Sequence, residues 1–273
     1  MSLDPTLAKD RVLSAYFEEY AALTDLFAGL NAADWKRPSP LPGWDVQAVA
    51  SHIMGTELML LGEKSSVKEI SAERPHIHNE IGARNELWVE SFKGDSGEQM
   101  CARWADIVDR RTAVMSAMTD EEWHRPSWTP AGEGTYSRFM RIRVYDCWLH
   151  ECDIRDALGV LAVEYGAPMN VALDEIATGL GYIVGRKAKA PDGSSVTISL
   201  GDPVERVFHV KVDGRAAVVD ELPDPKTTLR MPVGTFARLT GGRGDVDPLL
   251  ADVQVDGDHD LGMQIARNMA FTV

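Results

Sequence analysis

Read as a string of apolar and polar positions, the chain changes period once. Over its first 160 residues the apolar side chains recur at helical spacing. Val12, Tyr16, Tyr20, Leu23, Phe27 and Leu30 make one stripe between Arg11 and Leu30. A Pro-rich connector at 38–43 (PSPLPG) interrupts the pattern, since no helix can run through it. Asp45 then offers an N-cap to a second helix reaching about Leu61 through Val46, Val49, Ala50 and Ile53. Residues 64–80 are polar and irregular. A third long helix is predicted over Glu98–Met118, preceded by a short one around Ile81–Phe92, and a loop over Asp120–Gly134. A fourth covers Ser137–Leu158 and stops at Gly159.

Beyond Gly159 one more helix, Ala172–Lys189, gives way to short β-type runs at Val196–Leu200, Val207–Val212, Ala216–Val219 and Thr227–Met231. Asp213-Gly214 is a hairpin turn between two of them. A helix at Val233–Thr240, a strand at Asp252–Val255 and a helix at Asp258–Met269 follow. The pattern predicts an α+β protein of two domains. A four-helix bundle fills 1–160, and a smaller α/β sandwich domain with an antiparallel sheet fills 161–273.

The 273 residues are 44 % hydrophobic and 26 % charged, an ordinary globular composition with material for sizeable cores. A net charge of −14 without a Lys/Arg run argues against nucleic acid and anionic membranes as partners. No apolar stretch approaches a membrane span, and the N-terminus lacks the pattern of a secretory signal. Three cysteines, Cys101, Cys147 and Cys152, make a disulfide framework improbable and point to the cytoplasm. Cys147 and Cys152 flank His150 but project in different directions from a helix, so they are read as buried thiols.

The fourth helix carries the chemistry. Phe139, Ile142, Leu149, Ile154 and Ala157 share one arc with Arg143, Asp146, His150 and Asp153, while Arg141, Trp148, Glu151 and Arg155 lie opposite. Polar groups on a packing face need partners, because burying an unpaired carboxylate costs several kcal/mol. Asp146 and His150, at i and i+4, project side by side from consecutive turns and can serve one metal ion. His52, on the inward stripe of the second helix, is the third candidate. His76, His78 and His124 sit in polar loops, and His209 and His259 belong to the second half. Two imidazoles and a carboxylate with an open fourth position describe a catalytic zinc site. Spacing alone equally allows an Asp146–His150 ion pair beside a core histidine. Asp153 serves either as an acceptor behind a ligand or as the partner of Arg143 or Arg155. The tryptophans are read as core residues.

Two segments carry a family resemblance. LPGWDVQAVASH (41–52) and RVYDCWLHECDIR (143–155) resemble the paired signatures of the mycothiol-dependent maleylpyruvate isomerase family. That family belongs to the DinB-like metal-binding four-helix bundles. The resemblance implies a divalent metal, usually zinc, held by His52, Asp146 and His150. Family members tend to have Glu where this chain has Asp146, one methylene shorter. TFARLTGGRG (235–244) and VQVDGD (253–258) resemble the sterol-carrier-like C-terminal domain of some members. There an arginine facing the metal handles an anionic substrate, which implies Arg243, or else Arg238, as a catalytic residue.

The function so implied is a metal-dependent transferase or cis–trans isomerase. It would use mycothiol, a low-molecular-weight thiol, as co-substrate against a small electrophile, acting as a monomer or homodimer. Two alternatives stand beside it. One is a binding module for an apolar ligand with a structural metal; the other is a zinc-dependent hydrolase with Glu57 or Asp153 as general base.

Overall fold

The computed structural model describes residues 4–70, 74–201 and 204–272. The chain divides into two compact units, 1–172 and 173–273.

In the first unit the predicted helices form close to their expected bounds. They are α1 (Lys9–Ala28), α2 (Val46–Leu60), α3 (Glu80–Phe92), α4 (Gly97–Ala117), a short α5 (Asp120–Trp123) and, after a hairpin, α6 (Tyr136–Leu158). The Asp45 side chain caps α2 by accepting from Ala48 N at 2.8 Å, and α6 ends at Gly159. The long helices α1, α2, α4 and α6 pack on one another, with α3 laid along α2. Their shared core includes Tyr16, Tyr20 and Phe27 of α1, Ile53 of α2, Trp104 of α4 and Met140 and Val144 of α6.

One expectation for this unit is corrected. The loop over Asp120–Gly134 contains α5 and a two-stranded hairpin, β1 (Pro126–Thr129) with β2 (Gly132–Thr135). Its turn is held by Thr129, whose hydroxyl donates to Gly132 O at 2.8 Å and accepts from Ala131 N. The face of α6 opposite the predicted site is packed as well: Arg141, Trp148 and Glu151 are all buried. The Trp148 indole donates to Val163 O, and Arg141 donates to the Thr6 hydroxyl, so chain on both flanks wraps the helix.

A helix, α7 (Gly166–Tyr182), runs across the division and ends in a π-type turn over Ile183–Lys187. The second unit holds a five-stranded sheet in the order β5-β4-β3-β6-β7. Its strands are β3 (Ser195–Gly201), β4 (Arg206–Asp213), β5 (Arg215–Val219), β6 (Thr227–Pro232) and β7 (Gln254–Gly257). Alternation in β4 is clean: Phe208, Val210 and Val212 are buried, Lys211 and Asp213 exposed. The sheet is antiparallel except where β3 pairs parallel with β6, in register from Val196↔Thr227 to Gly201↔Pro232. Helices α8 (Val233–Gly241), α9 (Val246–Leu250) and α10 (His259–Arg267) complete the unit. The fold is α+β. No helix among the described residues is long and apolar enough to cross a membrane.

Candidate metal centre

The site begins at the turn before α2. Gly43 takes φ +81°, and a Cβ there would meet His76 Nδ1 at 2.4 Å, so both conformation and space demand glycine. The turn delivers Trp44 to the end of α2 and sets the helix so that His52 faces α6. Two turns apart on α6, Arg143 and His150 flank Asp146.

His52, Asp146 and His150 converge in the first unit. They are the one group of three His, Cys, Asp or Glu residues among those described whose ligand atoms lie close enough for a metal, all within 4.8 Å of one another. His52 Nε2 is 3.2 Å from Asp146 Oδ2, and His150 Nε2 is 3.5 Å from Asp146 Oδ1. Tetrahedral zinc with bonds of about 2.0–2.1 Å separates its ligand atoms by roughly 3.4 Å, so the donor set fits such an ion. The imidazoles meet edge to face at 4.8 Å between centroids.

The two histidines are not equivalent. His150 Nδ1 rests 2.9 Å from the buried Asp153 carboxylate, the arrangement that fixes the tautomer and ring plane of a metal-binding imidazole. Burial pushes the His150 pKa down, but Asp146 and Asp153 outweigh it and the net direction is up. His52 Nδ1 is buried and meets no hydrogen-bond partner among the described residues. Burial dominates at His52 and lowers its pKa despite the pull of Asp146. At Asp146 burial opposes ionisation, yet Arg143, His52 and His150 hold the carboxyl well below the ordinary range. Cys147 and Cys152 are buried and lie outside the cluster.

Several residues have roles that their positions in the sequence did not reveal. Trp44 is no plain core residue: its ring packs on His52 at 5.5 Å and on His150 at 6.5 Å, closing one side of the site. Its indole donates to Glu86 Oε2 at 3.0 Å, and the same carboxylate takes His76 Nε2 at 3.1 Å and faces Arg74. His76 thus has a defined partner within its polar loop. Glu57 is fully engaged as a hydrogen-bond acceptor and cannot serve as the general base of a hydrolase. The hydroxyls of Tyr16 and Tyr20 each donate to it at 2.7 Å, Arg111 Nε at 2.7 Å and Arg143 Nη2 at 2.8 Å. Burial would raise its pKa, but Arg143 and Arg111 hold it down at about 2. Arg143 therefore pairs with Glu57 and Asp146 rather than Asp153, and Arg155 pairs with Glu151.

Arg243 and Arg238 belong to the second unit. Arg243 follows α8, half-buried, its guanidinium donating to Gly241 O at 2.5 Å and its backbone N–H to Arg238 O.

Comparison with known proteins bears on the whole chain. Residues 16–155 match the family model of the mycothiol maleylpyruvate isomerase N-terminal domain, and 170–262 match that of the MDMPI C-terminal domain. A crystal structure of the mycothiol-dependent maleylpyruvate isomerase is similar in fold, with a TM-score of 0.61 at 16 % identity over 91 % of this chain and 93 % of that one. A histidine-to-alanine mutant of such an isomerase gives a TM-score of 0.57 at 17 % identity with the same coverage. No curated protein matches the chain. The N-terminal model alone spans more than half of the sequence and contains His52, Asp146 and His150, so the chain belongs to the mycothiol-dependent maleylpyruvate isomerase family.

Proposed function

We propose that this protein is a metal- and mycothiol-dependent isomerase or S-transferase acting on a small electrophilic substrate, with His52, Asp146 and His150 as the metal ligands. The observation that carries the reading is the convergence of two imidazoles and one carboxylate, at separations suited to a tetrahedral ion. A bound divalent ion, zinc by this donor set, would supply Lewis acidity and bring proton loss from a thiol near neutral pH.

The chain's own residues do the rest. Asp153 holds the His150 ring in one tautomer, leaving Nε2 toward the site. Trp44 excludes water from one side and leaves both imidazoles with an apolar neighbour, which strengthens electrostatic interactions there. With the thiol so deprotonated, addition of its sulfur to the electrophile and its release after bond rotation would give isomerisation, whereas protonation and retention of the adduct would give transfer. Arg243 is assigned the anionic group of the substrate.

The test is metal content by mass spectrometry on untagged protein purified without chelators, beside His150→Ala. About one zinc per chain, lost in the variant, is expected, together with turnover of an α,β-unsaturated acid only when the thiol is added. A wild-type chain that takes up no metal even from added zinc would remove the reading.

A further inference from the structure

We propose that Glu57 is a positioning residue for Asp146, acting through Arg143; the inference rests on the metal-centre reading above. Glu57 has no exposed surface and sits among apolar residues of α2. A buried carboxylate bound to two buried arginines is seldom more stabilising than apolar residues of the same volume, so folding alone gives little reason for it. What the network accomplishes is to immobilise one guanidinium. Arg143 Nε and Nη2 both donate to Glu57 Oε1, at 3.0 and 2.8 Å, and Nη2 also lies 3.3 Å from Cys147 Sγ. Tyr16, Tyr20 and Arg111 fix the carboxylate from the other side.

The remaining corner of the guanidinium, Nη1, leaves the network and donates to Asp146 Oδ2. Arg143 therefore determines how the ligand carboxylate is turned. It engages Oδ2 and leaves Oδ1 on the side of His150 Nε2. This matters here because Asp146 has a short side chain that retains 29 % exposure, and among the described residues its ion-pair partners besides Arg143 are the two histidines. The charges also balance: Glu57 and Asp146 face Arg111 and Arg143, two against two. Neutralising Glu57 leaves the Arg143 charge to bear on Asp146, tightening that ion pair and opposing a cation at the site.

The experiment is zinc titration of metal-free protein against a chromophoric competing chelator at fixed pH, with the Tm of each metal-free protein recorded alongside. Wild type, Glu57→Gln, Arg143→Met and the double variant are compared. Glu57→Gln should weaken the zinc Kd by about 10–100-fold, the usual effect of losing support behind a ligand. In the Arg143→Met background the same change should alter Kd by less than about 3-fold, because the mediator is gone. An unchanged Kd in Glu57→Gln, or an equal penalty in both backgrounds, overturns the proposal. A purely structural role would lower Tm and leave the Kd of folded protein in place. If Glu57→Gln does not fold, Glu57→Asp replaces it; that variant keeps the charge, withdraws it from Arg143 and should also weaken binding. Wild type without zinc affinity would dismiss the metal centre itself, whereas tight wild-type binding with unaffected variants dismisses only the role of Glu57.

Discussion

Acidifying the metal-free protein should erode its first unit through Glu57. The carboxyl is held at about 2 in the fold against an ordinary 4.5. A depressed carboxylate contributes stability above its unfolded pKa and loses it as pH falls through the folded one, so the window runs from about 4.5 down to about 2. At about 1.36 kcal/mol per pH unit the whole contribution is about 3 kcal/mol, of which roughly 2 kcal/mol is gone at pH 3. Other carboxylates titrate in the same range, so the informative quantity is the stability difference between wild type and Glu57→Gln. All seven tryptophans lie at or before Trp148, and urea unfolding followed by tryptophan fluorescence therefore reports the first unit selectively. Chelator must be present, because bound metal would stabilise the native state by mass action. The difference should shrink by roughly 2 kcal/mol between pH 6 and pH 3. A difference that stays constant across that range would refute the argument that Arg143 and Arg111 keep Glu57 ionised.

Two further outcomes follow from the packing. Gly55→Ala on α2 gains about 1 kcal/mol of helix propensity, but the new Cβ would meet Trp88 Cγ at 2.2 Å. Overpacking at about 1–3 kcal/mol prevails, so thermal melts should show lower stability, and a gain would mean that α3 yields easily. Glu19 presents the opposite sign to Glu57: burial, then Glu151, raise its pKa well above the ordinary value. Such a group loses stability as pH rises above about 4.5, where the unfolded chain ionises first. Glu19→Gln should therefore raise Tm by a few degrees at pH 8 and change it little at pH 4; an equal effect at both would contradict the assignment.

Much of the fold was legible because its signals are local. The stripe from Val12 to Phe27, the Asp45 cap and the Gly159 stop each depend on residues a few positions apart, and the helices formed close to the predicted bounds. The Asp146–His150 pair was legible for the same reason, since i and i+4 share a helix face whatever the tertiary context. The hairpin at 126–135 escaped notice because its two-residue Pro130-Ala131 turn lacks the Asn-Gly or Asp-Gly signature. Strand pattern likewise does not reveal the direction of a partner, and so the parallel β3–β6 pairing could not be read from either segment.

By itself, then, the sequence determined where the long helices and the strands of the second unit lie, to within a few residues, and which residue types could ligate a metal. Only the tertiary structure decided what surrounds them. It turned Glu57 from a possible base into an ionised anchor, because its partners Tyr16, Tyr20, Arg111 and Arg143 come from three other helices. It also brought Trp44 onto both histidines and took Arg143 from Asp153 to Glu57 and Asp146. The physical reason is range. Periodicity and capping act over one or two helical turns, whereas burial, ion pairing and pKa depend on groups far apart in the chain, such as Glu57 and Arg143 at 86 residues, that meet only when the helices pack.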